Sequence, residues 1–210
     1  MNRNMQICVC GWYYYKDFYT VLASLRTTFD IVIIANRPGD TLGLTCVVRE
    51  NIGLEWGAYS YFLDNCWDGI SNVLFMHDDT KADADFFHGI HQNPHDQAFI
   101  FENEAGFQQS YSHGRAFCAS ATFLKLCIMN GGIYYDKGNK GFIAPGYSWS
   151  ARPPDGCRDH NYAIREFTKF CKRLAADYPV LSVNKQIYDP NISLGVRGKF
   201  NGKAYQGHEM

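Results

Sequence analysis

Along the first half of the chain, unbroken apolar runs alternate with stretches in which apolar residues recur every three or four positions. The segment "QICVC" reads as a short strand. After Gly11, the residues Phe18, Val21, Leu22 and Leu25 fall at i, i+3, i+4 and i+7, which lines one face of a helix. "DIVIIAN" is a second strand, closed by the turn signal "NRPGD", and "LTCVVREN" is a third. "LEWGAYSYFLDNCWDG" predicts a helix with Ala58, Tyr61 and Phe62 facing inward and Gly69 ending it. "NVLFM" is a fourth strand. This strand–helix–strand rhythm predicts an α/β sheet with parallel neighbours, covered by helices.

The second half is less regular. "QAFIFENEA" predicts a strand, and "ASATFLKLCIMNGG" a helix capped by Gly131 and Gly132. "GNKGFIAPGYSWSARPPDG" is a long connection rich in Gly and Pro, of the kind that forms lids and binding loops. "DHNYAIREFTKFCKRLAADY" predicts a late helix with Ile164, Phe167, Cys171 and Leu174 along one side. The tail "SLGVRGKFNGKAYQGHEM" has several glycines and no helical period. There is no internal repeat, and 210 residues read as one mixed α/β domain, 1–210.

Composition narrows what such a domain does. A formal net charge of −1, with Lys and Arg scattered rather than massed, gives no sign of a nucleic-acid groove. The longest aliphatic stretch, "IVII", is far short of the roughly 20 residues that span a bilayer. The opening "MNRNMQICVCGW" lacks the apolar core of a secretory leader, so the expected setting is cytoplasmic. The eight cysteines include no CxxC pair and read as small buried hydrophobes with reduced thiols rather than as a thiolate metal site.

Chemistry enters where the fourth strand runs straight into His77, Asp78 and Asp79. Ligands of open α/β sheets bind beyond the carboxyl ends of strands. Neighbouring carboxylates there repel each other and lose hydration unless a cation or a proton relieves them. Oxygen ligands suit Mg²⁺ or Mn²⁺, ions that share their shell with substrate phosphates. The plainer alternative is a solvated loop in which Asp79 caps the helix that begins near "KADADFF".

The segment "RENIGLEWGAYSYFLDNCWDGISNVLFMHDDT" resembles the nucleotide-sugar-binding half of GT-A glycosyltransferases. Asn51-Ile52-Gly53 matches the Asn-x-Gly turn of that fold, Gly57-Ala58 supplies small helix residues, and "VLFMHDD" stands where a strand ends in the DxD motif. "N-x-G-x-E-W-G-A-Y" is also similar to the rhamnan-synthesis branch of these enzymes. The resemblance implies a single GT-A-like (Rossmann-like) α/β domain, with residues 1–110 binding the nucleotide sugar and 111–210 forming the acceptor half and tail. It implies inverting transfer of a sugar from a nucleoside-diphosphate donor, most readily a UDP-sugar, to a carbohydrate or other hydroxyl acceptor. Donor contacts carried over are Gly11, Trp12, Tyr13, Asn36, Asn51, Gly53, His77 and Asp78, with Asp79 as direct ligand of Mn²⁺ or Mg²⁺. His77 stands where the motif carries its first Asp, the residue that in the family commonly touches the ribose or the metal shell.

Two later residues complete the implied site. Asp159, at the start of the late helix, stands where related inverting enzymes carry the catalytic base, although a helix N-cap Asp looks the same. His208, near the end, stands where many of them supply a histidine to the metal, although a terminal histidine is commonly a bystander. Tyr147 and Trp149 fit either stacking on an acceptor sugar or anchoring their loop. A rival reading is zinc-dependent hydrolysis by His88, His91 and His95 in "HGIHQNPH", against which Asn93-Pro94 breaks a shared helix face. A catalytically silent binding module is the other alternative, kept open by His77.

Overall fold

A computed structural model of the chain describes residues 5–51, 54–92, 98–100, 116–129, 134–136, 141–143, 183–184 and 194–196. In chain order these form β1 (Met5–Gly11), α1 (Lys16–Ser24), β2 (Asp30–Ala35), β3 (Thr45–Val48), α2 (Leu54–Asn65) and β4 (Asn72–His77). There follow β5 (Thr80–Ala82), α3 (Ala84–Gln92), β6 (Ala98–Ile100), β7 (Ala116–Ala119) and α4 (Ala121–Met129). Last come β8 (Tyr134–Asp136), β9 (Gly141–Ile143), β10 (Val183–Asn184) and β11 (Leu194–Val196).

Seven strands join one sheet in the order β10-β6-β7-β4-β1-β2-β3. The pairs β1–β2, β1–β4, β2–β3 and β6–β10 are parallel. The sheet is mostly parallel, as the sequence predicts; the exception is β7, a strand the sequence reading did not include, which runs against both β4 and β6. That four-residue strand is short and directly precedes a helix, so its own sequence carries no direction.

The apolar runs of β1, β2 and β4 are unbroken because both faces of the sheet are covered. On one face Ile7, Val9, Ile33, Leu74 and Met76 meet Phe18, Tyr19 and Leu22 of α1 and Phe86 and Phe87 of α3. On the other, Cys8, Cys10, Val32, Ile34 and Phe75 meet Trp56, Tyr59 and Phe62 of α2 and Phe123 and Leu124 of α4. Tyr59 and Phe62 set their edges on Phe75, with ring centroids 5.0 and 6.0 Å away. Burying each such side chain contributes roughly 1.5–3 kcal/mol before entropy is counted.

Local signals explain the element ends. Phe18, Leu22 and Leu25 are buried as the spacing predicts, and Tyr19 is buried beside them. Helix α2 ends at Asn65, and Gly69 sits in the following turn at φ 79°, a conformation that favours glycine. Ser120 caps α4, its hydroxyl accepting from the Phe123 amide at 3.1 Å.

Two short pairings were not anticipated. β8 and β9 form an antiparallel pair that packs against α2, so part of the supposed long connection is strand. β5 pairs antiparallel with β11, which sets Val196 opposite Thr80. The six described cysteines are free thiols. No described helix is long and apolar enough to cross a membrane. The expected late helix, and most of the acceptor half and tail, lie outside the described residues.

Candidate functional site at the strand carboxyl ends

The central strands stop at one level. Cys10 pairs with His77 across β1 and β4, and Gly11 with Ala35 across β1 and β2. The ladder continues one step further, with the amide of Asp78 donating to Cys10 at 3.2 Å and that of Asn36 to Gly11 at 3.0 Å. Arg49, just beyond β3, donates its amide to Ala35 at 2.8 Å. Four segments therefore leave the sheet together: Gly11–Tyr14, Asn36–Arg37, Arg49–Asn51 and His77–Asp79.

Asp78 binds two of these segments to each other. It is fully buried. Its Oδ2 accepts from the backbone amides of Trp12, Tyr13 and Tyr14 at 2.8, 2.8 and 2.9 Å, and from the Tyr19 hydroxyl at 3.1 Å. Consecutive amides converging on one point form an anion-binding nest, and here the anion is the protein's own carboxylate. Tyr14 takes up φ 58°, in the left-handed region, to complete it. The other oxygen, Oδ1, is buried with no hydrogen-bond partner among the described residues. Burial pushes the Asp78 carboxyl above its ordinary range, against the opposing pull of His77 and the three amides. Of the two oxygens of Asp78, expected as a donor contact, Oδ2 is engaged by the loop.

His77 and Asp79 form the second unit. His77 Nδ1 lies 3.0 Å from Asp79 Oδ1 and 3.7 Å from Asp78 Oδ1. The His77 side chain keeps 14% of its surface exposed, and that of Asp79 only 5%. Burial opposes protonation of His77, but Asp79 and then Cys10 outweigh it and hold the imidazole pKa well above the ordinary value. The Cys10 thiol is pushed up by burial, while its hydrogen bond to His77 acts the other way. Asp79 does not cap the next helix; Asp83 does, accepting the Phe86 amide at 3.0 Å.

The flanking residues make an aromatic and basic rim. The Arg37 guanidinium lies 5.0 Å from the ring centre of Trp12 and also donates from Nε to the Trp12 carbonyl. The Tyr14 hydroxyl donates to the Arg37 carbonyl. Tyr13 tilts onto His77 with ring centroids 5.5 Å apart. Gly39 is required beneath this rim, since a Cβ there would lie 2.3 Å from the Tyr14 ring. Gly11 is nearly as tight, 3.0 Å from Ile33 Cγ2 and 3.2 Å from the Tyr19 hydroxyl. Asn36 is buried and joins two strands, donating to Cys10 Sγ at 3.4 Å and accepting from Arg49 Nη1 at 2.7 Å.

A comparison with models of known protein families returned no match, and a comparison with curated proteins returned none either.

Of the residues expected to act together, Gly11, Trp12, Tyr13, Asn36, His77, Asp78 and Asp79 meet at this edge. Asn51 is exposed just past β3. Gly53, His95, Asp159 and His208 lie outside the described residues. Of the three histidines of the zinc reading, His88 and His91 are described and His95 is not. On α3, the exposed His88 and the half-buried His91 set their rings near that of Phe29, with centroids 6.0 and 5.3 Å away.

No group of three or more His, Cys, Asp or Glu able to hold a metal occurs among the described residues. What they provide for the implied ion is one carboxylate, Asp79, beside Asp78 Oδ1, which has no hydrogen-bond partner among the described residues. That set fits a hard ion drawing most of its shell from water and phosphate oxygens, and does not fit an enclosed all-protein site.

Sequence reasoning missed Cys10, Tyr14, Tyr19, Arg37 and Arg49. Only Arg37 carried a signal, its place in the turn after β2. The others are recruited by contacts between segments far apart in the chain.

Proposed function

We propose that the chain is a glycosyltransferase of the GT-A kind, moving a sugar from a nucleoside diphosphate to a hydroxyl acceptor with inversion. The observation that carries this reading is the convergence, beyond the carboxyl ends of a mostly parallel sheet, of an aromatic loop, two arginines and the His77–Asp79 pair. Each part suits one portion of a UDP-sugar. The rings of Trp12 and Tyr13 offer stacking faces for a base, the cations of Arg37 and Arg49 offset diphosphate charge, and Asp79 offers a hard oxygen ligand.

Asp79, with His208 as a second ligand, would hold Mn²⁺ or Mg²⁺, an ion that would neutralise the charge growing on the diphosphate. Asn36 keeps Arg49 fixed beside the crevice, and His77 holds the Asp79 carboxylate in one orientation. Asp159 accepts the proton of the acceptor hydroxyl as that oxygen attacks the anomeric carbon, while the anomeric carbon–diphosphate bond breaks. The acceptor is a carbohydrate bound through the later half of the chain.

One observation favours a second reading. The Oδ1 atom of Asp79 already faces an imidazole at 3.0 Å, which suits a module that binds a nucleotide sugar without transferring it. A thermal-shift screen of nucleotide sugars with and without Mn²⁺ tests the common ground, because a ligand stabilises the native state by RT ln(1 + [L]/Kd). The proposal expects an ion-dependent rise with UDP-sugars. Transfer by the wild type, abolished in Asp159→Asn with donor binding retained, separates the enzyme from the silent module. No shift with any nucleotide sugar contradicts both.

A further inference from the structure

Three consecutive amides at the end of a sheet's first strand would ordinarily cradle a phosphate. In this chain that place is taken. The amides of Trp12, Tyr13 and Tyr14 all point at Asp78 Oδ2, and Tyr19 adds a fourth donor from α1. A loop held in this way has no free donors on that side. What it presents elsewhere are the half-buried rings of Trp12 and Tyr13 and the Arg37 side chain lying on Trp12.

We propose that Asp78 is a positioning residue: a built-in anion that fills the Trp12–Tyr14 nest and locks the loop as an aromatic wall. The wall meets the base or sugar portion of a ligand through its rings, and its backbone amides take no part in holding the diphosphate. This rests on the nucleotide-sugar reading for the identity of the ligand, but not for the locking itself. Two features argue that locking is the role. The left-handed Tyr14 persists only if its surroundings fix it. The Tyr14 ring is also seated over Gly39, where no side chain could fit, so the loop has one place to lie. Tyr13 in turn touches His77, which ties the wall's position to that of the Asp79 partner.

The test uses the full chain with fluorinated tryptophan. Four tryptophans give four ¹⁹F resonances, and Trp12→Phe assigns the one from the wall. Asp78→Ala should shift the Trp12 resonance and leave Trp56 and Trp67, which pack in the core beneath α2, near their wild-type positions. Formate, a carboxylate small enough for the vacated space, should move Trp12 back. Asp78→Asn should stay close to wild type, since its amide oxygen can still accept from the nest. Affinity for the donor found with the wild type should fall at least about tenfold in Asp78→Ala and recover with formate, a tenfold change being about 1.4 kcal/mol. An unmoved Trp12 in Asp78→Ala overturns the proposal. So do equal shifts of Trp56 and Trp67 in both variants, or an Asp78→Ala protein that stays unfolded or unrescued in formate. If the wild type answers to no nucleotide sugar, the functional reading fails, while the Trp12 resonance still decides whether Asp78 locks the wall.

Discussion

The two ends of the central strands solve the same problem in different ways. At the amino ends, Gln6 reaches Asp30 at 2.7 Å and accepts the Asp68 amide at 3.1 Å. Asp68 closes its own turn, accepting from the amides of Ile70 and Ser71 at 2.9 and 2.8 Å and from the Ser71 hydroxyl. Asp68 and Ile70 are exposed, and the partners of the Asp68 carboxylate lie within three residues. At the carboxyl ends, three ionisable residues in a row are drawn into the protein. Asp78 is satisfied from more than 60 positions away, by Trp12, Tyr13 and Tyr14. An exposed turn needs only local bonds, whereas burying adjacent carboxylates costs free energy that structure alone does not require. Perturbed ionisable groups held at such expense cluster at functional sites, and that asymmetry is why the carboxyl edge is taken as the site.

The sharpest way to break the comparison is to remove one aspartate from each end. Asp78→Ala strands three amides in a buried setting and should cost about 3–5 kcal/mol, as loss of one partner from a buried charged network does. Asp68→Ala opens an exposed turn and should cost about 0.5–1.5 kcal/mol, with no effect on nucleotide binding. Chemical denaturation reads both. Equal losses would mean that the two ends are built alike and that burial at the carboxyl edge marks nothing special.

Between these lies a pH effect. The folded pKa of His77 is raised by Asp79 and Cys10 against the opposing effect of burial, so protonated His77 favours the folded state. That stabilisation is full below the unfolded value of about 6.5 and is lost as pH climbs through the raised folded value. Wild-type Tm should therefore decline on the alkaline side more steeply than that of His77→Gln. Asp68 acts in reverse. Slight burial would raise its pKa, but the Ser71 hydroxyl and turn amides win and lower it. Its contribution is present above the unfolded carboxylate pKa and fades as pH falls through the lower folded value. Parallel Tm curves for wild type and His77→Gln above neutrality would remove the charge from the His77–Asp79 contact.

Much of the frame was legible because it is local. The runs of β1, β2 and β4 and the spacing of Phe18, Leu22 and Leu25 show their burial in the order of the letters. The strands β5 and β7 were not legible. "TKA" has neither the length nor the alternation of a strand, and it becomes one only because Leu194–Val196 lies alongside. Of the site, the place was readable and the division of labour was not. "HDD" announced that something polar ends β4, but nothing in it tells Asp78 from Asp79. Asp78 is claimed by the Trp12–Tyr14 amides, and Asp79 is left facing His77. The helix cap, expected as the plain alternative for Asp79, fell to Asp83.

The central claim is that this edge takes a nucleoside diphosphate with an ion held at Asp79. Calorimetric titration of UDP in Mn²⁺ into wild type and Asp79→Asn tests it most directly, because a neutral amide is a poorer ligand for a hard cation. The account predicts ion-dependent binding by the wild type and a loss of about tenfold or more in the variant, about 1.4 kcal/mol per tenfold step, with its fold intact. Equal affinity in the two proteins, or wild-type binding indifferent to Mn²⁺, would contradict it.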